Sequence, residues 1–460
     1  MARINDLGND KIKKLVLSLA LPSMLAQLVN VLYGIVDRIY IGNIPLVGEA
    51  ALAGAGVCAP IVTLITSFAI LIGIGGAPLL SMRLGEKNQQ GAEAILANAF
   101  VMLLALAAVL TTVFLLLKRP LLMAFGASET TFPYANTYIT ICIAGSVFAL
   151  LAAGLNQFII CQGFSTVAML AVIVGAVMNI VLDPILIFVF KMGVAGAALA
   201  TVLSQAASCT LALLFLFGRR THVRITFYGY SVRIMRRIVS FGLSPFLIIA
   251  TDSIIMIVLN TVLQYYGGAE KGDMLITCAT IVFSYFQLIS MPLGGVTGGT
   301  QPILSFNYGA KNIQRIKSAQ RGILLMGLVF TAVMLAVSQI LPQFFVLIFT
   351  QNPEYVKLSV WGIRVFTLAI LPMAVQYAVV DGFTALGFAK FAVSLSLFRK
   401  SVFMLTTVFA PMLFGATAAF YAEPVADCIA GLVSGTMFLL FNNRMLKRRE
   451  AMPDGQSLYA

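Results

Sequence analysis

Two acids and an amide stand inside long apolar segments of this 460-residue chain. Asp37 lies near the end of the first apolar segment, and Asn179 and Asp183 lie in the segment "NIVLDPILIF". A spacing of four residues places Asn179 and Asp183 on the same face of a helix. Pro184 follows, and a proline inside a helix removes a backbone donor and bends the helix. A pair of buried acids at such a place could take up and release a proton or a sodium ion.

The elements that must position these residues are membrane-spanning helices. The chain is 60% hydrophobic and only 10% charged, whereas about 25% of the residues of a soluble domain are charged. Apolar segments of roughly 20 residues, long enough to cross a bilayer as helices, recur along the chain. Lipid offers no partner for backbone polar groups, so spanning segments must be helices or closed barrels, and these segments are too long for barrel strands. We count twelve, near residues 15–41, 51–80, 92–117, 132–161, 165–190, 193–217, 238–264, 274–304, 319–348, 357–386, 391–414 and 416–441.

The formal net charge of +13 follows the topology of the spans. Basic residues cluster before the first span and after the second, sixth, eighth and twelfth spans, within residues 3–14, 83–87, 219–237, 311–321 and 444–449. Positive residues concentrate in cytoplasmic loops. We therefore expect a multi-pass protein of the inner or plasma membrane with both termini in the cytoplasm, and no nucleic-acid partner.

The chain contains an internal duplication. "APLLSMRLGEKNQQ" (77–90) matches "QPILSFNYGAKNIQ" (301–314), and a second match pairs "QFIICQGFS" (157–165) with "QYAVVDGFT" (376–384). Six spans in each half give both halves the same orientation, as in transporters whose parallel repeats are related by an axis along the membrane normal. The sequence thus predicts an all-α membrane protein of two six-helix lobes related by pseudo-twofold symmetry. Its expected parts are an N-terminal lobe 1–217, a basic cytoplasmic linker 218–237, a C-terminal lobe 238–445 and a cytoplasmic tail 446–460.

Polar residues of the first span line one helical face. Gln27, Asn30, Gly34 and Asp37 follow one another at spacings of three and four residues, and Tyr33 lies beside this face. A carboxylate in the middle of a bilayer costs about 2.5–3.5 kcal/mol on insertion scales, so it must face a cavity or a partner. This face is therefore a candidate lining for a substrate path, with Asp37 as an ion-binding residue.

The other polar residues inside the spans differ between the two halves. The second half has no acid at the positions that would correspond to Asn179 and Asp183. Two interpretations remain open: the acids bind a coupling ion, or they belong to a structural polar cluster that holds helices together. The remaining candidates are the substrate-lining amides Asn156 and Gln157, the hydroxyl of Thr201, and the second-half acids Asp252 and Asp381 as a possible second cation site.

Motifs of other function classes are missing from the sequence. The six cysteines fall inside spans, where we interpret them as small apolar residues, and the sole histidine, His222, lies in the basic linker. The chain has no GxxxxGK[ST] phosphate loop, no HExxH motif and no GxSxG elbow. We therefore predict no metal and no cofactor apart from the coupling ion, and no enzymatic activity; a pair of buried acids acting as a protease dyad remains a remote alternative.

Three stretches together resemble the multidrug and toxic compound extrusion (MATE) family: "LALPSMLAQLVNVLYGIVDRIYIG", "MNIVLDPILIF" with the following "GAALATVLSQ", and "TQPILSFNYGAKN". The resemblance extends from about residue 11 to residue 445. It implies a twelve-helix antiporter that exports organic cations in exchange for H⁺ or Na⁺. It also implies that Asn30 and Tyr33 line the substrate path. The positions that match the family's cation-coupling site are Asp37, Asn179, Asp183 and Thr201.

Two other transport functions stay open at this point. The wider superfamily that includes the MATE proteins also contains flippases for lipid-linked sugars, and a narrow metabolite exporter would carry no sharper sequence signal than a multidrug exporter. An acidic first-half cleft favours small-molecule organic cations over pyrophosphate lipids. No feature of the spans requires a dimer, so we expect a monomer that contacts only membrane lipid and its substrates.

Overall fold

A computed structural model gives the fold. It describes residues 5–45, 47–125, 129 and 131–451. Inside the helices it leaves out the side chains of residues 49, 50, 244, 248, 250, 252–254, 256, 257, 269, 270 and 273.

The described part of the chain is built from helices. A π-helical turn, Ile185–Val189, continues α6, and a 3₁₀ helix, Ala416–Tyr421, precedes α14. Gly268, whose φ of 66° is left-handed, interrupts α8 and divides it into two helices. The helices are α1 Ile12–Gly42, α2 Gly48–Gly85, α3 Gln89–Ala124, α4 Phe132–Ala144, α5 Ser146–Ile160, α6 Ser165–Pro184, α7 Val194–Phe217, α8 Val232–Gly309, α9 Ile313–Ile340, α10 Pro342–Val346, α11 Pro353–Phe366, α12 Ile370–Ala385, α13 Ala389–Phe414 and α14 Ala422–Glu450.

The lengths and composition of these helices confirm a multi-pass membrane protein. Within the described residues, nine helices are long and apolar enough to cross a bilayer, and two bent pairs raise the number to eleven. The pairs are α4 with α5, bent by 54°, and α11 with α12, bent by 50°. With the part of α8 before Gly268, these spans fit the predicted twelve-helix, two-lobed arrangement. The predicted fourth and tenth spans are therefore each two helices joined at a bend.

The chain divides into two compact units. The first unit consists of residues 1–7 and 21–250, and the second of residues 8–20 and 251–460. Both divisions fall inside helices, within α1 next to Pro22 and within α8. Because neither division falls in a loop, the lobe boundaries predicted at residues 217 and 238 remain a prediction.

The segment that follows α7 is held tightly within the first unit. The buried Gln162 side-chain oxygen accepts hydrogen bonds from the Thr221 hydroxyl and the Val223 backbone N–H, both at 2.7 Å. Gln89 Nε2 donates to the His222 carbonyl at 2.7 Å. Asn98 Oδ1 accepts a hydrogen bond from the backbone N–H of Ser231. The predicted linker is thus a docked segment over these residues, with amide side chains supplying the hydrogen bonds that its irregular backbone lacks.

The two copies of the internal duplication have the same local backbone structure at the turn that each contains. Lys87 and Lys311 both have a left-handed φ of 57°. The next residue in each copy caps the following helix: Asn88 accepts from the Gly91 N–H at 2.8 Å, and Asn312 accepts from the Arg315 N–H at 3.2 Å. An asparagine at this position satisfies one of the N–H groups that a helix start leaves unpaired. The motif shared by the two copies is therefore a sharp turn with a helix cap.

The second predicted match has the wrong register. Ser81 donates to the Cys161 carbonyl at 2.6 Å, and its counterpart Ser305 donates to the Ala385 carbonyl at 2.8 Å. Each partner in the second unit lies 224 residues after its counterpart, as Gly309 does after Gly85. The dipeptide Gly-Phe occurs twice in this region, at 382–383 and 387–388, and the sequence match used the earlier one. The left-handed φ values of Gly163 (90°) and Gly387 (83°) identify the later one as equivalent, and this register pairs residue 157 with residue 381.

Candidate cation-binding site

The break that the sequence predicted at Pro184 is present. α6 ends at this proline and continues as a π-helical turn in which the Phe190 N–H donates to the Ile185 carbonyl at 2.9 Å. A proline has no N–H to donate, so the regular hydrogen-bond ladder cannot pass through it. A Cβ on Gly196 of α7 would lie 2.8 Å from the Leu186 carbonyl oxygen, so only glycine allows α7 to approach this turn so closely. The turn places Asp183 at the end of the regular helix.

Asp37 of α1 and Asp183 of α6 form a carboxyl pair inside the first unit. Their side chains are within hydrogen-bonding range of each other. Asp183 is fully buried, and its Oδ1 accepts a hydrogen bond of 3.3 Å from Asn179 Nδ2. An ionised carboxylate can only accept hydrogen bonds. Two carboxyl groups in direct contact therefore need a shared proton or a cation between them.

Other oxygens of this cluster also have unused acceptor capacity. Among the described residues, no N–H or hydroxyl donates to Asp37 Oδ1, Asp183 Oδ2 or the side-chain oxygen of Asn179. No lysine or arginine nitrogen within the described chain lies in salt-bridge range of either acid. Hard cations such as sodium are bound by oxygen ligands of this kind, and a proton bridging two carboxyl groups would satisfy the same atoms. The cluster can therefore hold a small monovalent cation.

The cluster also contains α4 residues that sequence reasoning missed. Tyr138 and Cys142, one helical turn apart, both lie near Asp37, and Tyr33 of α1 lies near Asp37 and Asp183. From its place inside a span, Cys142 was expected to be a small apolar residue. The only available signal was the spacing of four between Tyr138 and Cys142, and such a spacing is common on any helix. Contact between α4 and α1 is a product of tertiary packing.

Several predicted residues lie apart from the carboxyl pair. Thr201 lies on α7, partly buried, and within the described residues it makes no hydrogen bond to Asp37 or Asp183. Gln27 and Asn30 lie on α1, and Asn30 precedes Asp37 by seven residues, about 10 Å along the helix. The structure thus brings together Asp37, Asn179, Asp183 and Tyr33, and it leaves the other candidates of α1 and α7 outside their hydrogen-bond network.

The predicted amides of the fourth span lie on α5. Asn156 is partly buried, and its buried side-chain oxygen has no hydrogen-bond donor among the described residues. Gln157 packs against α2, where a Cβ on Gly73 would lie 2.9 Å from the Gln157 Cγ. In the repeat, the counterparts of Gly73 and Gln157 are Thr297 and Asp381. Both copies therefore bring these two positions together, but only the second copy places a hydroxyl and an acid there.

The second-unit candidates are Asp381 and Asp252. The Thr297 hydroxyl donates to Asp381 Oδ2, and Gln301 also hydrogen-bonds this carboxyl group. Tyr377, one turn before Asp381 on α12, lies near it. Asp252 lies on α8, but its side chain is outside the part of the chain that the structure describes. The structure therefore gives Asp381 a polar environment and leaves the pairing of Asp252 with Asp381 a prediction.

A second charged cluster of the second unit was missed entirely. Arg399 of α13 forms ion pairs with Glu423 and Asp427 of α14, the second through its Nε at 2.8 Å from Asp427 Oδ1. All three side chains are buried. The sequence carries a signal for this cluster, since Glu423 and Asp427 have the same spacing of four as Asn179 and Asp183.

The sequence and the fold of this chain are similar to those of known proteins. The MatE family model matches residues 22–185 and 246–418 of the chain. Curated relatives include proteins called "Multidrug export protein MepA" from Staphylococcus haemolyticus, 23% identical over 434 residues, and from Staphylococcus aureus, 23% identical over 435 residues. In both cases the alignment covers 94% of this chain and 94% of the relative.

Solved structures share the fold. A crystal structure of MATE in complex with MaL6 matches with a TM-score of 0.88 at 23% identity, covering 96% of this chain and 98% of the other. The outward-facing conformation of a multidrug resistance MATE family transporter of the MOP superfamily matches with the same TM-score, identity and coverage. At this identity the likeness establishes the fold.

Proposed function

The chain belongs to the MATE family, and from that premise we propose that it is a secondary active antiporter for organic cations. It exports cationic, amphipathic compounds in exchange for H⁺ or Na⁺ by alternating access. The names of its curated relatives, which are multidrug export proteins, support the substrate class. The Asp37–Asp183 pair supports the coupling.

The observation that carries the proposal is the direct contact between two carboxyl groups, neither of which has a lysine or arginine of the described chain in salt-bridge range, although the charge of the neighbouring Arg38 acts on Asp37. A structural polar cluster would be expected to pair its acids with amide, hydroxyl or basic donors, because an unpaired buried charge is costly. Here Asp37 Oδ1 and Asp183 Oδ2 have no hydrogen-bond donor among the described residues. A bound proton or sodium ion would provide these oxygens with a partner. The carboxyl pair is therefore the proposed coupling-ion site, and Asn179 orients Asp183.

Exchange follows if the coupling ion and the substrate bind different conformations. Binding of an ion to the pair removes negative charge from the interior of the first unit. A ligand shifts a conformational equilibrium only by its difference in affinity for the two states. An acidic cluster that is neutralised in one state and free to attract an organic cation in the other provides such a difference. Tyr33, Gln27, Asn30, Asn156 and Gln157 are the proposed substrate-lining residues, and Thr201 is the proposed fourth member of the coupling site.

The test is efflux of a fluorescent organic cation from proteoliposomes under a pH gradient, a sodium gradient or no gradient. Efflux driven by only one gradient identifies the coupling ion. Asp37→Asn is expected to abolish gradient-driven efflux while the protein still inserts and elutes as a folded species. Normal gradient-driven efflux by this variant would refute the assignment of the coupling site.

The remaining transport functions are outcomes of the same experiment. Folded protein that moves no organic cation under any gradient would favour a narrow metabolite exporter, or a flippase of a lipid-linked substrate. Sodium-driven efflux that survives loss of the first-unit pair would move the coupling site to Asp381 and Asp252. We further propose a monomer of the cell membrane with both termini in the cytoplasm, acting as a transporter without enzymatic chemistry and with the coupling ion as its only bound cofactor.

A further inference from the structure

The second unit contains two buried acids whose partner is a side chain of the protein itself. Glu423 and Asp427 lie one helical turn apart on α14, and the guanidinium of Arg399 donates to both. Arg399 is 8% exposed, Glu423 5% and Asp427 not at all. Arg399 lies ten residues into α13, about 15 Å along the helix and thus near the middle of a bilayer core of roughly 30 Å.

The charges of this cluster sum to zero. One guanidinium between two carboxylates leaves a single negative charge, and Lys400, the next residue on α13, lies near both acids. Charged side chains in the middle of a membrane are tolerated when they pair with each other. The cluster is therefore neutral without an external ion.

One atom of the cluster still has acceptor capacity. Asp427 Oδ2 is buried, and among the described residues no group donates a hydrogen bond to it. A carboxylate that binds a guanidinium through both oxygens would leave neither oxygen unused. Arg399 and Lys400 together balance the formal charge of the acid pair, but they leave this carboxylate oxygen without a hydrogen-bond donor among the described residues.

The two units place acids in different chemical settings. In the first unit, Asp37 and Asp183 contact each other without a lysine or arginine in salt-bridge range among the described residues. In the second unit, Glu423 and Asp427 contact a guanidinium. The counterpart of Arg399 in the first unit is Gly175, 224 residues earlier. The basic residue thus has no equivalent in the unit where we propose that a mobile ion binds.

We infer that Glu423 and Asp427 form a cation site separate from both the Asp37–Asp183 pair and Asp381, for small monovalent cations and guanidinium-type organic cations, and that Arg399 occupies it as a tethered cation. In the intact protein the site is closed by Arg399, so it adds no mobile ion to the transport cycle. Removal of the side chain opens it. The inference stands apart from the proposed function, because it concerns residues that the first-unit coupling site does not include.

The experiment replaces Arg399 in a protein whose first-unit pair is already disabled. The full-length Asp37→Asn/Asp183→Asn protein and the same protein with Arg399→Ala are purified in detergent, and thermal unfolding is followed at constant ionic strength with choline as the reference salt. We expect Arg399→Ala to lower the Tm in choline. Millimolar guanidinium, or sodium in place of choline, should restore it saturably, because a ligand that binds only the folded state stabilises that state. The parent with Arg399 should show no such response.

The matched control removes the proposed ligands together with the arginine. Arg399→Ala/Glu423→Gln/Asp427→Asn in the same background keeps the cavity and Lys400 but loses both carboxylates, and its Tm should be the same in guanidinium, sodium and choline. Because the background lacks the first-unit acids, failure of the proposed coupling site cannot imitate or hide this response.

A folded Arg399→Ala protein that responds to neither cation would overturn the inference and leave Arg399 a structural ion pair. If Arg399→Ala aggregates, Arg399→Gln fills most of the volume and is measured in the same way. Recovery of neither variant from membranes solubilised in sodium and guanidinium would also count against the inference, because an open cation site would accept the external ion. An equal response of the control lacking the acids would contradict it as well.

Discussion

Loss of the carboxyl contact between Asp37 and Asp183 should change how steeply the steady-state substrate gradient depends on the imposed ion gradient. Two carboxyl groups in direct contact share one proton or one sodium ion, so one coupling ion should be exchanged for each monovalent organic cation. A tenfold ion gradient is worth about 1.4 kcal/mol and can then support at most a tenfold substrate gradient. The logarithm of the substrate ratio plotted against the logarithm of the ion ratio should have a slope of one.

Asp183→Asn should reduce that slope to zero. The amide has nearly the shape of the carboxyl group, and it can still contact Asn179, but it cannot share a titratable proton or carry the charge that binds an ion. Substrate should then only equilibrate across the membrane. The assay measures steady-state accumulation of a fluorescent cation in proteoliposomes at imposed ion ratios, with the membrane potential held at zero.

The internal repeat provides the matched control. Thr407 lies 224 residues after Asp183, is 1% exposed, and has a hydroxyl oxygen without a hydrogen-bond partner among the described residues. Thr407→Val is nearly isosteric and should keep a slope of one. A slope of two in the unaltered protein would refute the single shared ion, and a slope of one in Asp183→Asn would refute the coupling role of the pair.

Two further predictions concern the segment of the first unit that follows α7. Gln162→Ala should cost about 1–3 kcal/mol of local stability, because it leaves the buried Val223 N–H without its acceptor; hydrogen exchange over residues 218–231 should accelerate, and unchanged protection would contradict this. Partial desolvation of the His222 ring, which packs against Phe164 but stays partly exposed, lowers its pKa below the ordinary value of 6.5, and Asp6 opposes the shift. Stability from the docked segment should therefore be complete above pH 6.5 and decline as the pH falls below it, because the unfolded segment binds the proton more readily. His222→Phe, which retains ring packing against Phe164, should remove this pH dependence of exchange, and a dependence that persists would assign it to another group.

The sequence by itself determined the class of the protein and much of its local structure. Apolar segments of span length can only be helices in lipid, so the all-helical membrane fold followed from composition. Pro184 predicted a break in α6 because it has no N–H, and the break is a π-helical turn at that residue. The duplicated Lys-Asn motif predicted equivalent turns, and both copies have the same left-handed φ and helix cap. These features depend on covalent chemistry within a few residues.

Only the tertiary structure decided which polar side chains meet. Asp37 and Asp183 are 146 positions apart in the chain, and their contact depends on the packing of α1 against α6. The same is true of Tyr138 and Cys142, which join the pair from α4. It is also true of Arg399, because the spacing of Glu423 and Asp427 places these acids on one face of α14 but does not show that Arg399 lies opposite them. The false match between Gly163 and Gly382 has the same origin, since identical letters cannot show which glycine needs a left-handed φ. The spacing of residues shows which of them share a face of a helix. Which other helix packs against that face is decided only when the chain folds.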